Sequence, residues 1–160
     1  MKKLIVCSII LAAGIILSCN NSDYASKDEN KAIKTETAKE EAAPSYDPNR
    51  GEGKFKTVDV GNTLNTTMAG AGEKVYSVKC SGCHKLTDEK LVGPGWSGVT
   101  RRHKPEWIMN FITNTDAMLD KDPKAQAQLE LCLVRMPNQN LADEDARGLL
   151  EFMRKNDGIR

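Results

Sequence analysis

The sequence predicts an all-α fold of about four helices and no sheet, following a polar N-terminal segment. Apolar residues recur three to four positions apart in four separate stretches, which is the helical period. Typical helix-start residues stand before three of these stretches: Asn65 or Thr66, Pro105, and the pair Asp122-Pro123. No convincing strand pattern accompanies them, so the connecting segments are expected to be loops.

The four helices are placed by these starts and by their apolar faces. The first runs to about Lys79, the second begins at Pro105 and the third at Asp122-Pro123, while the last spans about Leu141 to Lys155, with Asp143 as its expected cap in place of Ala142. The inward-facing residues are expected to be Met68, Ala71, Val75 and Val78, then Trp107, Ile108, Phe111 and Ile112, then Ala125, Leu129 and Cys132, and finally Ala146, Leu149, Leu150 and Met153.

The N-terminus has the pattern of a signal peptide over residues 1–18. Two lysines precede an apolar stretch from Leu4 to Leu17, which is too short for a comfortable transmembrane helix of ~20 residues. The run Ile16-Leu17-Ser18-Cys19 resembles the lipobox of bacterial lipoproteins, which implies a lipid on Cys19. The alternative is an ordinary signal peptide that leaves Cys19 as a free thiol.

Residues 19–56 are predicted to be a lipidated cysteine followed by a disordered tether, and residues 57–160 to be the folded domain. The tether is rich in Lys, Glu, Ala, Thr and Ser and has no apolar face to bury. The whole chain has 160 residues and a net charge of +1. This balance argues against a nucleic-acid binder, and one short apolar run excludes a polytopic membrane protein.

The segment Cys80-Ser81-Gly82-Cys83-His84 carries the chemistry of the domain. Cys-x-x-Cys-His is the attachment signature of haem c: two thiols bond to the haem and the adjacent imidazole binds the iron. A thioredoxin-like pair would need a βαβ setting. A zinc site would need more ligands than His103 and Cys132 add. One covalent haem c is therefore the predicted cofactor.

Met136 is the predicted second axial ligand of the iron. It precedes Pro137, and a residue before proline favours extended backbone, so a loop can direct its thioether at the metal. Met118 is the runner-up because Asn114-Thr115-Asp116 has a loop-like composition. The remaining candidates are expected to be core residues or, for His103, a solvated residue: Met68, Met109, Met153 and His103.

The stretch from about Thr67 to Lys155 resembles a class I c-type cytochrome of the small monohaem, bacterial lipoprotein type. Gly72-Glu73-Lys74-Val75-Tyr76 matches the family's Gly-x-x-x-aromatic pattern in the first helix, and Gly93-Pro94-Gly95-Trp96 matches its Gly-Pro turn. The resemblance implies a cytochrome c fold packed round the haem. It also implies that the carbonyl of Pro94 accepts the His84 Nδ1 proton, and that Phe152 packs on the first helix.

A non-enzymatic, one-electron carrier on the periplasmic side of a bacterial membrane is the function expected from these features. Met/His ligation leaves no open iron site and raises the reduction potential. The expected donors are a quinol-oxidising complex or another cytochrome. The expected acceptors are a terminal reductase or oxidase, and two loop segments resemble cytochromes associated with nitrous oxide respiration. The alternatives are a haem-based sensor of small ligands such as NO or CO and, less favoured, a peroxidase-like enzyme.

Three further features stay open at the sequence level. Cys132 is either a buried small apolar residue or a reactive thiol. Trp96, Trp107 and Arg101 or Arg102 are candidates for contact with the haem propionates. From Lys79 to Lys104 six residues are basic and two acidic, a net +4, which would steer an acidic partner.

Overall fold

The computed structural model describes residues 46–160, which form a helical unit with an apolar crevice. The predicted signal peptide, Cys19 and most of the predicted tether lie outside the described residues. Within residues 46–160 no strand occurs, and a single antiparallel bridge joins His84 and Lys90. The helices are α1 (Thr66–Lys79), α2 (Val99–Arg102), α3 (Pro105–Thr113), α4 (Thr115–Lys121), α5 (Pro123–Cys132) and α6 (Asp143–Asn156).

The predicted all-α class is confirmed, and all four predicted helices are present as α1, α3, α5 and α6. The Asn65 side chain caps α1 by accepting from the Met68 amide, and Asp122 caps α5 by accepting from the Ala125 amide. The expected cap at the start of α6 is not formed, because Ala142 holds the cap position and no side chain bonds there. Three acidic residues in the first turn of α6 favour its N-terminus through the helix dipole instead.

The crossing of α1 and α6 is the central helix contact of the fold. Gly72 on α1 faces Gly148 on α6 so closely that a Cβ built on Gly72 would overlap the Gly148 carbonyl oxygen. Beside this contact the Tyr76 and Phe152 rings pack with their centroids 5.3 Å apart. The two helices therefore meet backbone to backbone, and the aromatic pair fills the space next to them.

The folded domain begins before residue 57, which was the predicted boundary between the tether and the domain. The Asn110 side chain of α3 is fully buried; it donates to the Arg50 and Phe55 carbonyls and accepts from the Phe55 amide. The Tyr46 hydroxyl donates to the buried carboxylate of Asp122. Residues 46–56, assigned to the tether by composition, thus pack on α3 and the start of α5.

A buried ionic cluster on α6 fixes the chain just before α1. Glu151 is fully buried and bonds to Arg154 and Arg147, and it also accepts from the Asn65 amide. Arg154 in turn donates to the carbonyls of Val60 and Gly61. The cluster therefore positions the entry into α1. No helix among residues 46–160 is long and apolar enough to cross a membrane.

Candidate functional site

A deep crevice of about 430 Å³ lies between the Cys83-His84 segment and the loop that carries Met136. Most of its walls are apolar, and α3, α5 and α6 all contribute side chains. Among the helices of residues 46–160, α4 is the one with which α5 has extensive contacts, so the inner face of α5 is directed at the crevice. Ala125, Gln128, Leu129, Leu131 and Cys132 line the crevice from this helix.

His84 is held at the crevice wall by hydrogen bonds on its ring and its backbone. Its Nδ1 lies 2.9 Å from the carbonyl oxygen of Pro94, the contact implied by the family resemblance. The Tyr76 hydroxyl donates to the His84 carbonyl at 2.7 Å. Burial lowers the pKa of His84, although the Pro94 bond opposes this. The imidazole is therefore neutral at physiological pH, and Nδ1 is occupied, which leaves Nε2 as the atom that can bind a metal.

Close packing also fixes the orientation of the His84 ring. A Cβ built on Gly93 would overlap the imidazole, so this position requires glycine. The centroid of the Trp96 ring lies 5.6 Å from that of the imidazole. The turn Gly93-Pro94-Gly95-Trp96 thus supplies both the hydrogen-bond acceptor and the packing surface for one side chain.

The two motif cysteines are suited to covalent attachment of a planar cofactor at the crevice. Neither forms a disulfide with another cysteine of residues 46–160; Cys80 is buried, whereas Cys83 is exposed and lines the crevice. Burial raises the pKa of the Cys80 thiol to about 11, an effect that the positive charge of Lys79 opposes. With two thiols one turn apart, a neutral oriented imidazole and an apolar cavity, these residues fit a haem.

Met136 lines this crevice together with His84, whereas the runner-up Met118 does not. Met118 lies in α4, is fully buried, and its Sδ accepts from the Glu52 amide at 3.0 Å. The loop-like composition before Met118 was therefore misleading. Met153 also lines the crevice, but from the core of α6.

The loop that carries Met136 is bounded by two residues with left-handed backbone, Leu133 (φ 61°) and Asn140 (φ 49°). Arg135 donates to Asp120 at 2.8 Å, which ties the loop to α4. Lys79 donates to the Gln139 carbonyl at 3.0 Å, which ties it to the end of α1. These contacts hold an irregular segment over the crevice.

The residues predicted to contact the haem propionates differ in whether they line the crevice and in whether their donor groups already have partners. Arg102 and Trp96 line the crevice. Trp107 also lines it, but its indole N–H donates to Asp122 at 3.0 Å. Arg101 donates instead to the Asp157 carbonyl at the end of α6.

Two residues differ from their expected surroundings. His103, expected on a solvated surface, is half-buried, lines the crevice and stacks on Trp107 with the ring centroids 3.9 Å apart. Cys132, expected to be buried, is partly exposed and lines the same cavity. The three neighbouring charges, Arg101, Arg102 and Lys104, concealed the position of His103 from sequence reasoning.

Comparison with known proteins places these features in a family context. The family model described as cytochrome c matches residues 69–157. Among solved structures, "Cytochrome c from Rhodothermus marinus" is 31% identical with a TM-score of 0.63, and the match covers 66% of this chain and 90% of that chain.

Two engineered forms of the Rhodothermus marinus protein match over the same shares of the chains, each at 30% identity. One is the form called Rma TDE, with a TM-score of 0.63. The other is Rma TDE bound to a carbene intermediate, with a TM-score of 0.60. Comparison with curated protein sequences gave no match.

Proposed function

The chain belongs to the cytochrome c family, whose general activity is haem-based electron transfer, and we propose that it is a one-electron carrier in which His84 and Met136 would bind the haem iron. The cofactor of the family is one covalently attached haem c, and Cys80 and Cys83 are the cysteine pair available for it. When bound, the haem would supply an iron centre that accepts and releases one electron. The protein's part is to attach, orient and enclose it.

One observation carries the ligand assignment: His84, oriented through Nδ1, and Met136 line the same crevice. The methionines at 109 and 118 are buried elsewhere in the core, and Met153 projects from a packed helix. A thioether ligand raises the reduction potential relative to harder ligands. With both residues bound, the iron would have no position left for a substrate, which favours a carrier over an enzyme.

The first test is a spectroscopic redox titration of the mature haem-containing protein, with carbon monoxide added to the reduced form. We expect a high positive midpoint potential, a far-red methionine-to-iron absorption band in the ferric protein, and little carbon monoxide binding. A low potential without the band, together with ready carbon monoxide binding, would instead favour a sensor of small ligands.

The surface around the crevice suits transient docking of a redox partner. Three exposed apolar residues, here called the mouth surface, line the crevice: Val92, Leu131 and Val134. Leu91 and Leu133, which adjoin them in the chain, are also exposed. Lys90 donates to the Leu131 carbonyl at 2.8 Å and Lys79 to the Gln139 carbonyl at 3.0 Å. Neither lysine forms an ion pair within residues 46–160. An apolar centre with uncompensated cations favours a partner that has an acidic rim.

Oxidation of the reduced protein by two small reagents tests this charge distribution. We expect the rate with anionic ferricyanide to fall as salt rises, by about tenfold or more, and the rate with a cationic tris(phenanthroline)cobalt(III) reagent to rise. Lys79→Gln and Lys90→Gln should each reduce the salt dependence of the rate with ferricyanide. Lys54→Gln, which removes a lysine paired with Asp143, is the matched control. If the rates with both reagents were independent of salt concentration, electrostatic steering would be excluded.

We also propose that the domain works on the periplasmic side of a bacterial membrane, held by lipid on Cys19. The support is the lipobox-like run before Cys19. The 26 residues between Cys19 and Tyr46 span at most about 90 Å. The carrier would accept electrons from a quinol-oxidising complex or another cytochrome and pass them to a terminal reductase or oxidase. Nitrous oxide reductase is one candidate acceptor, on the resemblance of two loop segments alone.

A further inference from the structure

His103 has a buried ring nitrogen without a hydrogen-bond partner, and it lies in the wall of the crevice. Its Nδ1 is the single buried side-chain nitrogen or oxygen left unpartnered in the described part of the chain. Its Nε2 lies 3.4 Å from the amide nitrogen of Gln128, which also lines the crevice. The ring stacks on Trp107. A buried polar atom without a partner costs free energy, so this environment is incomplete in the protein alone.

The charges around His103 make this end of the crevice attractive to an anion. Arg102, from α2, and Lys124, from α5, both disfavour a proton on the imidazole, while Asp122 at the start of α5 favours one. The Asp122 carboxylate already accepts from Tyr46, Trp107 and the Ala125 amide. Burial is the largest effect and, with the two cations, lowers the pKa of His103 to about 4. A carboxylate placed here would raise the pKa of His103 and so oppose the effects of burial, Arg102 and Lys124.

The haem of the family carries two carboxylate side chains, and this crevice is where it would bind. We propose that the end formed by Arg102, His103 and Gln128 receives one of them, and that His103 takes up a proton when the haem gains an electron. The inference deepens the proposed function, since it makes this carrier transfer a proton together with its electron. Arg102 and Gln128 can donate hydrogen bonds to a carboxylate, and His103 is the group there that titrates.

The sign of the coupling follows from electrostatics. One electron from the donor makes the haem more negative by one charge, and one proton from solvent then binds the imidazole. The pKa of His103 is therefore higher in the reduced protein than in the oxidised protein. Raising the pH through the interval between these two pKa values removes the stabilising proton from the reduced state. The midpoint potential consequently falls as pH rises across this interval and is level outside it.

The test is the midpoint potential of the mature full-length protein, measured by spectroelectrochemistry from about pH 4, the pKa of His103 in the protein alone, to about pH 8. We expect a fall with rising pH in the wild type and loss of that fall in His103→Gln, which keeps a polar side chain that does not titrate. A potential that is level in the wild type, or an equal fall in His103→Gln, would overturn the proposal. The far-red band and the response to carbon monoxide report separately on the axial ligands, so the proposed function can stand if this inference fails.

Lys124 gives a second variant that leaves the lining of the crevice unchanged. Its ammonium group bonds to the Pro48 carbonyl at 2.9 Å, yet its charge lowers the pKa of His103. Lys124→Gln should therefore move the pH interval of the fall upward without abolishing it.

The wild type also allows a test that depends on no variant. The chain has two histidines, and His84 is the proposed iron ligand. The imidazole resonance that titrates in an NMR spectrum is therefore assigned to His103. The midpoint of that resonance should be higher in the reduced protein than in the oxidised protein. Equal midpoints in the two states would contradict the coupling.

Discussion

Replacing Met136 by leucine is expected to abolish the far-red band of the ferric protein and to let carbon monoxide bind the reduced form. Leucine has nearly the same volume, so the substitution costs less than about 1.5 kcal/mol in packing, while it removes the sulfur that can bind iron. The midpoint potential should fall, within the span of about 0.8 V over which axial ligands tune haem. Absorption spectra with and without carbon monoxide, and a redox titration, measure all three effects.

Met153→Leu is the matched control, because Met153 lines the same crevice but is packed in α6. It should keep the far-red band and the potential of the wild type. Met118→Leu removes the sulfur that accepts from the Glu52 amide and should likewise leave the spectrum unchanged. Survival of the band in Met136→Leu, or its loss in either control, would contradict the assignment of Met136.

The sequence predicted the positions of the long helices well and the short ones not at all. The inward face predicted for α1 was wrong in part, because Val78 is 84% exposed and Ala71 is exposed, while Ala69 and Gly72 are buried. The helices α1, α3, α5 and α6 have nine to fourteen residues, enough for a repeated apolar face and a recognisable start. The two missed helices, α2 and α4, have four and seven residues. A single turn or two cannot show a period, and tertiary contacts decide their conformation.

Local motifs revealed more of the site than patterns of burial could. The Cys-x-x-Cys-His run and the Gly-Pro turn bring their own geometry, so the His84–Pro94 contact could be inferred from the resemblance. The folding of residues 46–56 could not, because it depends on the Asn110 amide and on Asp122, both distant in sequence. His103 was missed for the same reason: its position depends on the Trp107 ring, and neighbouring charges indicated solvent.

Gly72→Ala is expected to destabilise the haem-containing protein by about 1–3 kcal/mol, the usual cost of overpacking a core. Its methyl group would overlap the Gly148 carbonyl, and a backbone atom cannot move aside by changing rotamer. Alanine otherwise favours the helix over glycine by about 1 kcal/mol. The free-energy cost of the clash must therefore exceed this gain in helix propensity. Guanidinium denaturation followed by helical circular dichroism gives the free energy of unfolding.

Two other glycines on the same helix pair make this a graded experiment. A Cβ on Gly70 meets no atom within 4 Å, whereas one on Gly148 lies 3.1 Å from the Met68 carbonyl oxygen. Gly70→Ala should therefore stabilise the protein by about 0.5–1 kcal/mol, and Gly148→Ala should lie between the two. If Gly72→Ala were as stable as Gly70→Ala, the close crossing of α1 and α6 would be wrong.

The same pair of variants tests whether this crossing also encloses the haem. Because α6 presents Met153 to the crevice, separation of α1 and α6 would open the haem environment. Gly72→Ala should therefore bind carbon monoxide more readily than Gly70→Ala.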